Sequence, residues 1–329
     1  MKKRLIAMLI VPLTVSLTAL AQKVDKVTAQ QFVDLQQGER VYAGFRRAHA
    51  KGICVTGEFV SNGRLAAFSR ATIFKPGATP FTGRFSIAGN NPTAPDLKAP
   101  VRSLALSFVS SASQQWRLAM NTPPVTAVSD PQSFYQQLQA LKAGPEAITA
   151  FFRAHPESAD FLAWKARYQP TASFATEQYH SINAFYLVDE GGQRRAVRWS
   201  FEPRANKPVT QAQHKDALHD ELQQRLAQQT VVFDWVFTFA GAGDDENNPA
   251  KQWPDNRQRV VVGELEISAW QPQSSGHCHV INFDPLVLPD GIEPTRDPIL
   301  RARSAAYAES YRRRAWERLT AGGEGAKND

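Results

Sequence analysis

The segment between Val231 and Phe239 constrains the fold most, because apolar and polar residues alternate along it. Its aromatic residues fall on one face and its polar residues on the other: Phe233, Trp235, Phe237 and Phe239 against Asp234 and Thr238. A period of two residues is typical of a β-strand that buries one face. The segment is therefore predicted to be a strand.

This segment and the other stretches of strand character fall into two groups along the chain. The first group comprises the strand from Ile53 onward and Val101–Phe108. The second comprises Ile182–Val188, Ala196–Phe201, Val231–Phe239 and Val260–Ile267. Glu190-Gly191-Gly192 supplies turn residues, so the first two strands of the second group are predicted to form a hairpin.

Helices are predicted between and after these groups, from apolar residues with a period of 3.6 and from helix-start residues. They comprise a short helix from Thr28 to Gln37, Gln132–Ala143, Glu146–Ala154, His214–Gln228, and a helix that begins at Asp297-Pro298. No linker divides the chain. The order of elements indicates an antiparallel barrel or curved sheet with helices packed outside it, in the α+β class.

The N-terminus has the three parts of a secretory signal. Met1-Lys2-Lys3-Arg4 is charged, Leu5–Leu20 is apolar, and Ala19-Leu20-Ala21 supplies small residues for cleavage. The apolar run is short for a membrane anchor, so we expect cleavage after Ala21. Residues 22–329 then form one mature domain, which is not embedded in the membrane and which works in the periplasm of a double-membraned bacterium.

Charge and cysteine content restrict the possible functions. The net charge of +7 is spread over the chain apart from an arginine-rich last helix, and an exported protein is not expected to bind nucleic acid. The two cysteines, Cys54 and Cys278, either pair once or stay free and buried. His277-Cys278-His279 is not expected to hold a metal, because adjacent residues on a strand point to opposite faces.

The helix after Asp297-Pro298 carries the residues with the clearest chemistry. Arg303, Tyr307 and Tyr311 follow one another at intervals of four, and Arg314 continues the same stripe. A guanidinium beside a phenol favours the phenolate, and a tyrosinate can ligate haem iron. The alternative is a solvated stripe on a surface helix.

Several phrases resemble those of the haem catalases and occur in the family's order. They are Arg46-Arg47-Ala48-His49-Ala50-Lys51-Gly52, Arg84-Phe85-Ser86, Val101–Phe108, Asn121-Thr122-Pro123, Trp253-Pro254 with Val262-Gly263-Glu264-Leu265, and the stretch from Asn282 to Tyr307. The resemblance covers about residues 40–315, ahead of a polar tail at 321–329, and is nearest to the small exported catalase-related peroxidases. It implies haem b, an eight-stranded antiparallel barrel, and a haem buried between barrel and helices.

The resemblance also implies a role for each site residue. His49 is the distal base and acid, and Ser86 hydrogen-bonds it and fixes its tautomer. Tyr307 is the iron ligand, its phenolate paired with Arg303, whereas the rival Tyr311 has no cation one turn before it. The remaining haem contacts are the propionate partners Arg46, Arg84 and Arg314, and Phe134, which stacks on the haem.

One departure from the family's pattern concerns the distal amide. Aligned without a gap, Asn121-Thr122-Pro123 places Met120 at the distal asparagine position; a slip of one residue would place Asn121 there instead. A thioether offers no N–H donor, so weak catalase activity is expected beside peroxidase activity.

The implied activity is reduction of H₂O₂ or organic hydroperoxides by small organic electron donors. The alternative is an exported haem-binding or carrier protein without turnover; a decayed, haem-free structural protein is the third reading. The resemblance further suggests a homodimer.

Overall fold

The computed structural model describes residues 26–210 and 213–325, and ten antiparallel strands form its sheet. The strands are β1 (Gly52–Ser61), β2 (Gly77–Ile87), β3 (Arg102–Val109), β4 (Gln115–Asn121), β5 (Tyr179–His180), β6 (Phe185–Val188), β7 (Arg194–Pro203), β8 (Val231–Phe239), β9 (Arg259–Pro272) and β10 (Ile292–Pro294). Eight of them close into a ring in the order β7-β5-β4-β3-β2-β1-β9-β8, and β8 pairs back with β7. The predicted eight-stranded barrel is thus confirmed.

Aromatic side chains fill the barrel interior. Trp235 of β8 is completely buried, and its ring lies 4.7 Å from Phe59, 5.1 Å from Trp116 and 4.8 Å from Phe201 between ring centroids. These partners come from β1, β4 and β7, so one residue joins strands from around the ring. Burial of such rings supplies much of the hydrophobic stabilisation of a core.

Within the described residues, six α-helices pack outside the barrel. They are α1 (Ala29–Gln37), α2 (Pro131–Ala143), α3 (Pro145–Ala154), α4 (Ala159–Arg167), α5 (Ala217–Leu226) and α6 (Pro298–Gly325). Helix α1 starts with the predicted capping box, in which Thr28 and Gln31 bond each other's backbone N–H groups. No helix of the described residues is long and apolar enough to cross a bilayer.

Several boundaries differ from those predicted. Strand β4 and helix α4 were not anticipated, and β9 runs five residues beyond Ile267 to Pro272. The strand predicted from Ile182 begins only at Phe185, because Ile182 has φ +65°, which extended backbone does not allow. The predicted signal peptide lies outside the described residues, and the first part of the predicted polar tail continues helix α6.

The two cysteines form a disulfide that crosses a long stretch of chain. Cys54 of β1 bonds Cys278, which lies in a short 3₁₀ turn at His277–His279, and 224 residues separate the two cysteines. Of the alternatives left open by the sequence, pairing is therefore correct. The bridge fastens the segment before α6 to the outside of the barrel.

Loss of this bridge should destabilise the whole fold. A double Cys54→Ser, Cys278→Ser variant is expected to lose about 2–5 kcal/mol of unfolding free energy, because a cross-link over a long loop restricts the unfolded chain. Guanidinium unfolding of the variant and the oxidised wild type measures the difference. Equal midpoints and equal slopes would show that the bridge contributes nothing.

Candidate active site

Strand alternation divides the residues of β2, β3 and β4 between the barrel interior and its outer face. Phe85, Leu104 and Met120 stand opposite one another in register, and all three belong to the buried core. The side chain of the residue adjacent to each of them on its strand points to the opposite face. Ser86, Ser103 and Asn121 therefore form a polar row on the outer face, again opposite one another.

His49 reaches this polar row from the segment before β1. Its Nδ1 atom lies 3.1 Å from the Ser103 hydroxyl, which in turn donates to the Asn121 amide oxygen. The backbone of His49 is left-handed, with φ +53°. This conformation costs energy for residues other than glycine and often occurs at functional sites. The structure thus brings His49 and Asn121 together.

Ser86 is not the hydrogen-bond partner of His49, which corrects the prediction. Ser86 and Ser103 stand in the same cross-strand row, separated by one strand spacing of about 4.8 Å. The sequence alone does not show which of two hydroxyls this close hydrogen-bonds the imidazole. The structure places the ring at Ser103.

Met120 at the distal position is likewise wrong. Its side chain is 1 % exposed, lies opposite Leu104, and packs in the barrel core. A shift of one residue in a strand moves a side chain to the opposite face, so an alignment one position off exchanged the two residues. The slipped alignment, with Asn121 at the site, is the one that the strand register supports.

The electrostatic surroundings of His49 keep its imidazole neutral near pH 7. Burial lowers its pKa to about 4, and the charges of Arg84, Arg303 and Arg46 act in the same direction. A neutral imidazole can accept a proton, which is what the distal role requires.

Three arginines without an acidic partner lie near the site: Arg84 and Arg314 are buried, and Arg46 is half-buried. Arg84 donates to the carbonyls of His49, at 2.7 Å, and Ala50, at 3.2 Å, as well as to Gln273. Arg46 donates to the carbonyls of Cys278 and Ile281, and Arg314 to that of His279. In the part of the chain that the structure describes, no carboxylate lies within salt-bridge distance of any of the three.

This cluster fits a group that brings its own carboxylates. Burial lowers the pKa of Arg46 well below its ordinary value, that of Arg84 to about 9 and that of Arg314 to about 10. For all three, repulsion between neighbouring guanidiniums adds to the effect. Anions among the arginines would relieve this cost. The two propionates of a haem satisfy that requirement, so the predicted trio fits the predicted cofactor.

Tyr307 faces the same outer surface of the barrel from helix α6. It packs against a cluster formed by the Cys54–Cys278 disulfide and Phe283, and Ala105 packs against the same cluster. Ala105 lies two residues beyond Ser103 on β3, and two residues advance a strand by about 6.6 Å. Tyr307 and His49 thus lie near neighbouring positions of one surface.

Arg303 does not hydrogen-bond Tyr307, contrary to the predicted pair. Its guanidinium donates to the Ala119 carbonyl at 2.6 Å and to the Asn183 side chain. Asn183 donates in turn to Asp297 at 2.6 Å, and Asp297 caps α6 by accepting from Ile299 N–H. A carbonyl oxygen and an amide oxygen are better acceptors for this half-buried guanidinium than a phenol, which explains the observed partners.

Asn183 was not anticipated from the sequence. It follows Ile182, which with His49 is one of the two non-glycine residues in the described chain that have a left-handed backbone. The Asp297-Pro298 start of α6 was the available clue, since a capping aspartate keeps an oxygen for another donor.

The roles of Phe134 and Tyr311 remain predictions. The Phe134 ring lies 6.0 Å from that of Phe32 on α1, so its stacking on haem stays a prediction. Tyr311 holds the Arg314 guanidinium over its ring at 5.3 Å and is engaged with the arginine cluster.

Comparison with known proteins agrees with this geometry. The catalase family model matches residues 24–319. The chain belongs to the catalase family. It is 38% identical over 301 residues to a catalase-related peroxidase of Synechococcus elongatus, covering 88% of this chain and 89% of that protein. It is 30% identical over 299 residues to a catalase-related peroxidase of Mycolicibacterium paratuberculosis, covering 88% and 95%.

A solved structure of a bacterial catalase shares the fold. Its TM-score is 0.71 at 21% identity, and the match covers 84% of this chain and 58% of the catalase. Catalases as a family depend on haem. The polar row, the arginine cluster and Tyr307 therefore form the candidate haem site of this chain.

Exchanging Met120 tests the strand register. Met120→Asn should lower the unfolding free energy by about 2–5 kcal/mol, because it removes apolar contacts and buries an unpaired amide. Met120→Leu, the volume-matched control, should cost less than about 1.5 kcal/mol. Denaturant unfolding measures both. A Met120→Asn variant as stable as the control would place residue 120 outside the core.

The stability of the protein should fall on mild acidification. Burial lowers the pKa of His49, His180 and His279 from 6.5 to about 4, so between these values the unfolded chain binds protons that the folded chain does not. Stability is then fully retained above pH 6.5 and decreases towards pH 4, by at most about 4.1 kcal/mol per pH unit for three groups.

A His49→Gln, His180→Gln variant should reduce this dependence, and the exposed His277→Gln should not. Denaturant unfolding at pH 7, 6 and 5 provides the measurement. Parallel curves for all three proteins would contradict the assigned shifts.

Proposed function

We propose that the protein is a haem b-dependent peroxidase, which reduces H₂O₂ or organic hydroperoxides with electrons from small organic donors. The observation that carries the proposal is the neutral His49 beside Asn121, on the same outer face that Tyr307 and the arginine cluster address. The names of its relatives, catalase-related peroxidases, favour the same activity. When bound, haem supplies the redox centre at which a peroxide O–O bond is broken.

The chain's own residues then have defined tasks. His49 takes the proton of the bound hydroperoxide and returns it to the oxygen that leaves as water or alcohol. Asn121 offers its amide N–H to the peroxide, while its oxygen stays engaged with Ser103. Burial of the site keeps bulk water from competing for these hydrogen bonds.

Tyr307 is proposed as the iron ligand, in its phenolate form. The positive charges of Arg46 and Arg84 interact favourably with the Tyr307 oxygen, and Arg303 lies one turn before it on α6. Arg303 then acts as part of this positive environment, because its hydrogen bonds go elsewhere.

Weak catalase activity is retained as a proposal, but on different grounds. With Asn121 at the site, the lack of a distal amide no longer argues for it. Support now comes from the names of the two relatives, which describe peroxidases related to catalases. Comparing oxygen evolution with oxidation of a phenolic donor, at equal peroxide concentration, gives the ratio directly.

Export to the periplasm is proposed from the N-terminal sequence. The disulfide is consistent with an oxidising compartment, because such bonds are rare in the cytosol. The N-terminal residue of the mature protein from a periplasmic extract tests this; Gln22 is expected. A homodimer is proposed on the family resemblance, and sedimentation tests it.

Two variants test the catalytic proposal. His49→Ala should keep haem yet react with peroxide about 10²–10⁴-fold more slowly, because general acid–base help is lost. Tyr307→Phe should lose haem or change the visible spectrum, since no phenolate remains, whereas Tyr311→Phe is the matched control. Absorbance spectra and stopped-flow mixing with H₂O₂ provide the measurements.

The carrier alternative predicts a different pattern. A haem-binding protein without turnover would show the same slow peroxide reaction with and without His49. Loss of haem in Tyr311→Phe but not in Tyr307→Phe would exchange the ligand assignment.

A further inference from the structure

The Cys54–Cys278 disulfide borders the candidate haem site on two sides. Cys54 stands directly opposite Arg84 in the pairing of β1 with β2, so both side chains project from the same outer face. Cys278 is buried together with Phe283, and Tyr307 packs against this cluster. The bridge therefore lies beside one propionate arginine and beside the proposed iron ligand.

The chain just after the bridge supplies the acceptors that hold the other two arginines. Arg46 donates to the carbonyls of Cys278, at 3.0 Å, and Ile281, at 2.9 Å. Arg314 donates to the carbonyls of His279 and Ile281. Both guanidiniums are thus oriented by backbone oxygens of one short segment.

This segment, residues 278–281, is called the carbonyl turn, and it lies in the loop between β9 and β10 rather than in the sheet. Its start is bonded covalently to β1. The loop approaches the bridge so closely that a Cβ atom at Gly276 would lie 2.5 Å from Cys54 Sγ. Loops are less firmly held than strands, so a covalent tether at this point has a large effect on the position of the turn.

We infer that the Cys54–Cys278 disulfide is a positioning element of the cofactor site, and that haem affinity depends on the redox state of these two cysteines. The bridge holds the carbonyl turn where Arg46 and Arg314 bind the propionates. The inference rests on the proposed haem cofactor.

The redox step is a thiol–disulfide exchange with a dithiol. The dithiol gives two electrons and two protons, the Sγ–Sγ bond breaks, two cysteine thiols form, and the dithiol becomes its own disulfide. The carbonyl turn then loses its tether to β1, and the two arginines lose their fixed acceptors.

The coupling acts in both directions. If the bridged chain binds the cofactor more tightly, the bound cofactor makes the bridge harder to reduce by the same factor. Outer groups that orient a binding residue typically contribute about 10- to 100-fold in affinity. For a two-electron couple, this factor corresponds to a reduction potential about 30–60 mV lower in the cofactor-bound chain.

The first measurement is the affinity of the full chain for gallium(III) protoporphyrin, a trivalent analogue of ferric haem whose metal dithiols do not reduce. Fluorescence titration compares the oxidised chain with the dithiol-reduced chain. Reduction should weaken binding about 10- to 100-fold. The dimethyl ester of the same porphyrin offers the arginines no carboxylate, so its weaker binding should change little on reduction.

The second measurement is the reduction potential of the bridge, from the number of free thiols at set ratios of oxidised to reduced dithiol. Because both cysteines are buried, equilibrium is approached from the oxidised and from the reduced side. Saturating gallium protoporphyrin should lower the potential by about 30–60 mV.

Leu222→Ala is the control for a general loss of stability. Leu222 of α5 is completely buried in the barrel core and belongs to none of the groups assigned to the site. Its truncation should lower the unfolding free energy within the same range as loss of the bridge, yet leave the affinity for gallium protoporphyrin unchanged. In the reduced wild type, amide hydrogen exchange should accelerate in residues 273–284 and not in the barrel strands.

The outcomes separate this inference from the proposed function. Equal affinity of the oxidised and reduced chains, or a reduction potential that porphyrin does not change, overturns the inference and leaves the haem proposal intact. Equal redox dependence for the porphyrin and its ester, an equal affinity loss in Leu222→Ala, or faster exchange throughout the barrel does so as well. If neither redox form binds the porphyrin, the haem proposal fails together with the inference.

Discussion

The two-residue alternation of closed, antiparallel strands is the constraint on which this protein depends. In a closed ring every strand has one face in the barrel and one face outside, and the register fixes both together. The interior face holds Met120 among aromatic rings, and the outer face holds Asn121 beside His49. Core packing therefore positions the active-site side chains, because neither can be shifted without the other.

The positive charge on the outer surface of the barrel is suited to a negatively charged cofactor. Arg46, Arg84 and Arg314 donate to backbone carbonyls, but the Arg314 Nε donor has no partner among the described residues and no carboxylate balances their charges. Without a bound anion, burial of these guanidiniums costs desolvation free energy, which a dicarboxylate cofactor would offset. Burial holds His49 in its neutral form and the charges of Arg84 and Arg46 add to the effect, so two of these arginines serve both cofactor binding and the proposed proton transfer.

Sequence reasoning succeeded where a local pattern determines structure. The alternation in Val231–Phe239 and the capping box at Thr28 predicted real elements, and the ordered family phrases led to the fold. It failed where the answer depends on pairing between distant strands. Choosing Ser103 over Ser86, and Asn121 over Met120, needs the register of β2, β3 and β4. The partner of Arg303 depended similarly on Asn183, 120 residues away.

The disulfide gives the chain an order of assembly. Cys54 is synthesised early and its partner follows 224 residues later, after every strand of the closed ring. During that interval Cys54 has no partner in its own chain, because the protein contains only two cysteines. Incorrect pairing within one molecule is thus impossible, and every competing product joins Cys54 to a thiol of another molecule. Oxidation before Cys278 is available would consequently yield mixed disulfides, covalent dimers among them, whereas delayed oxidation yields the bridged monomer.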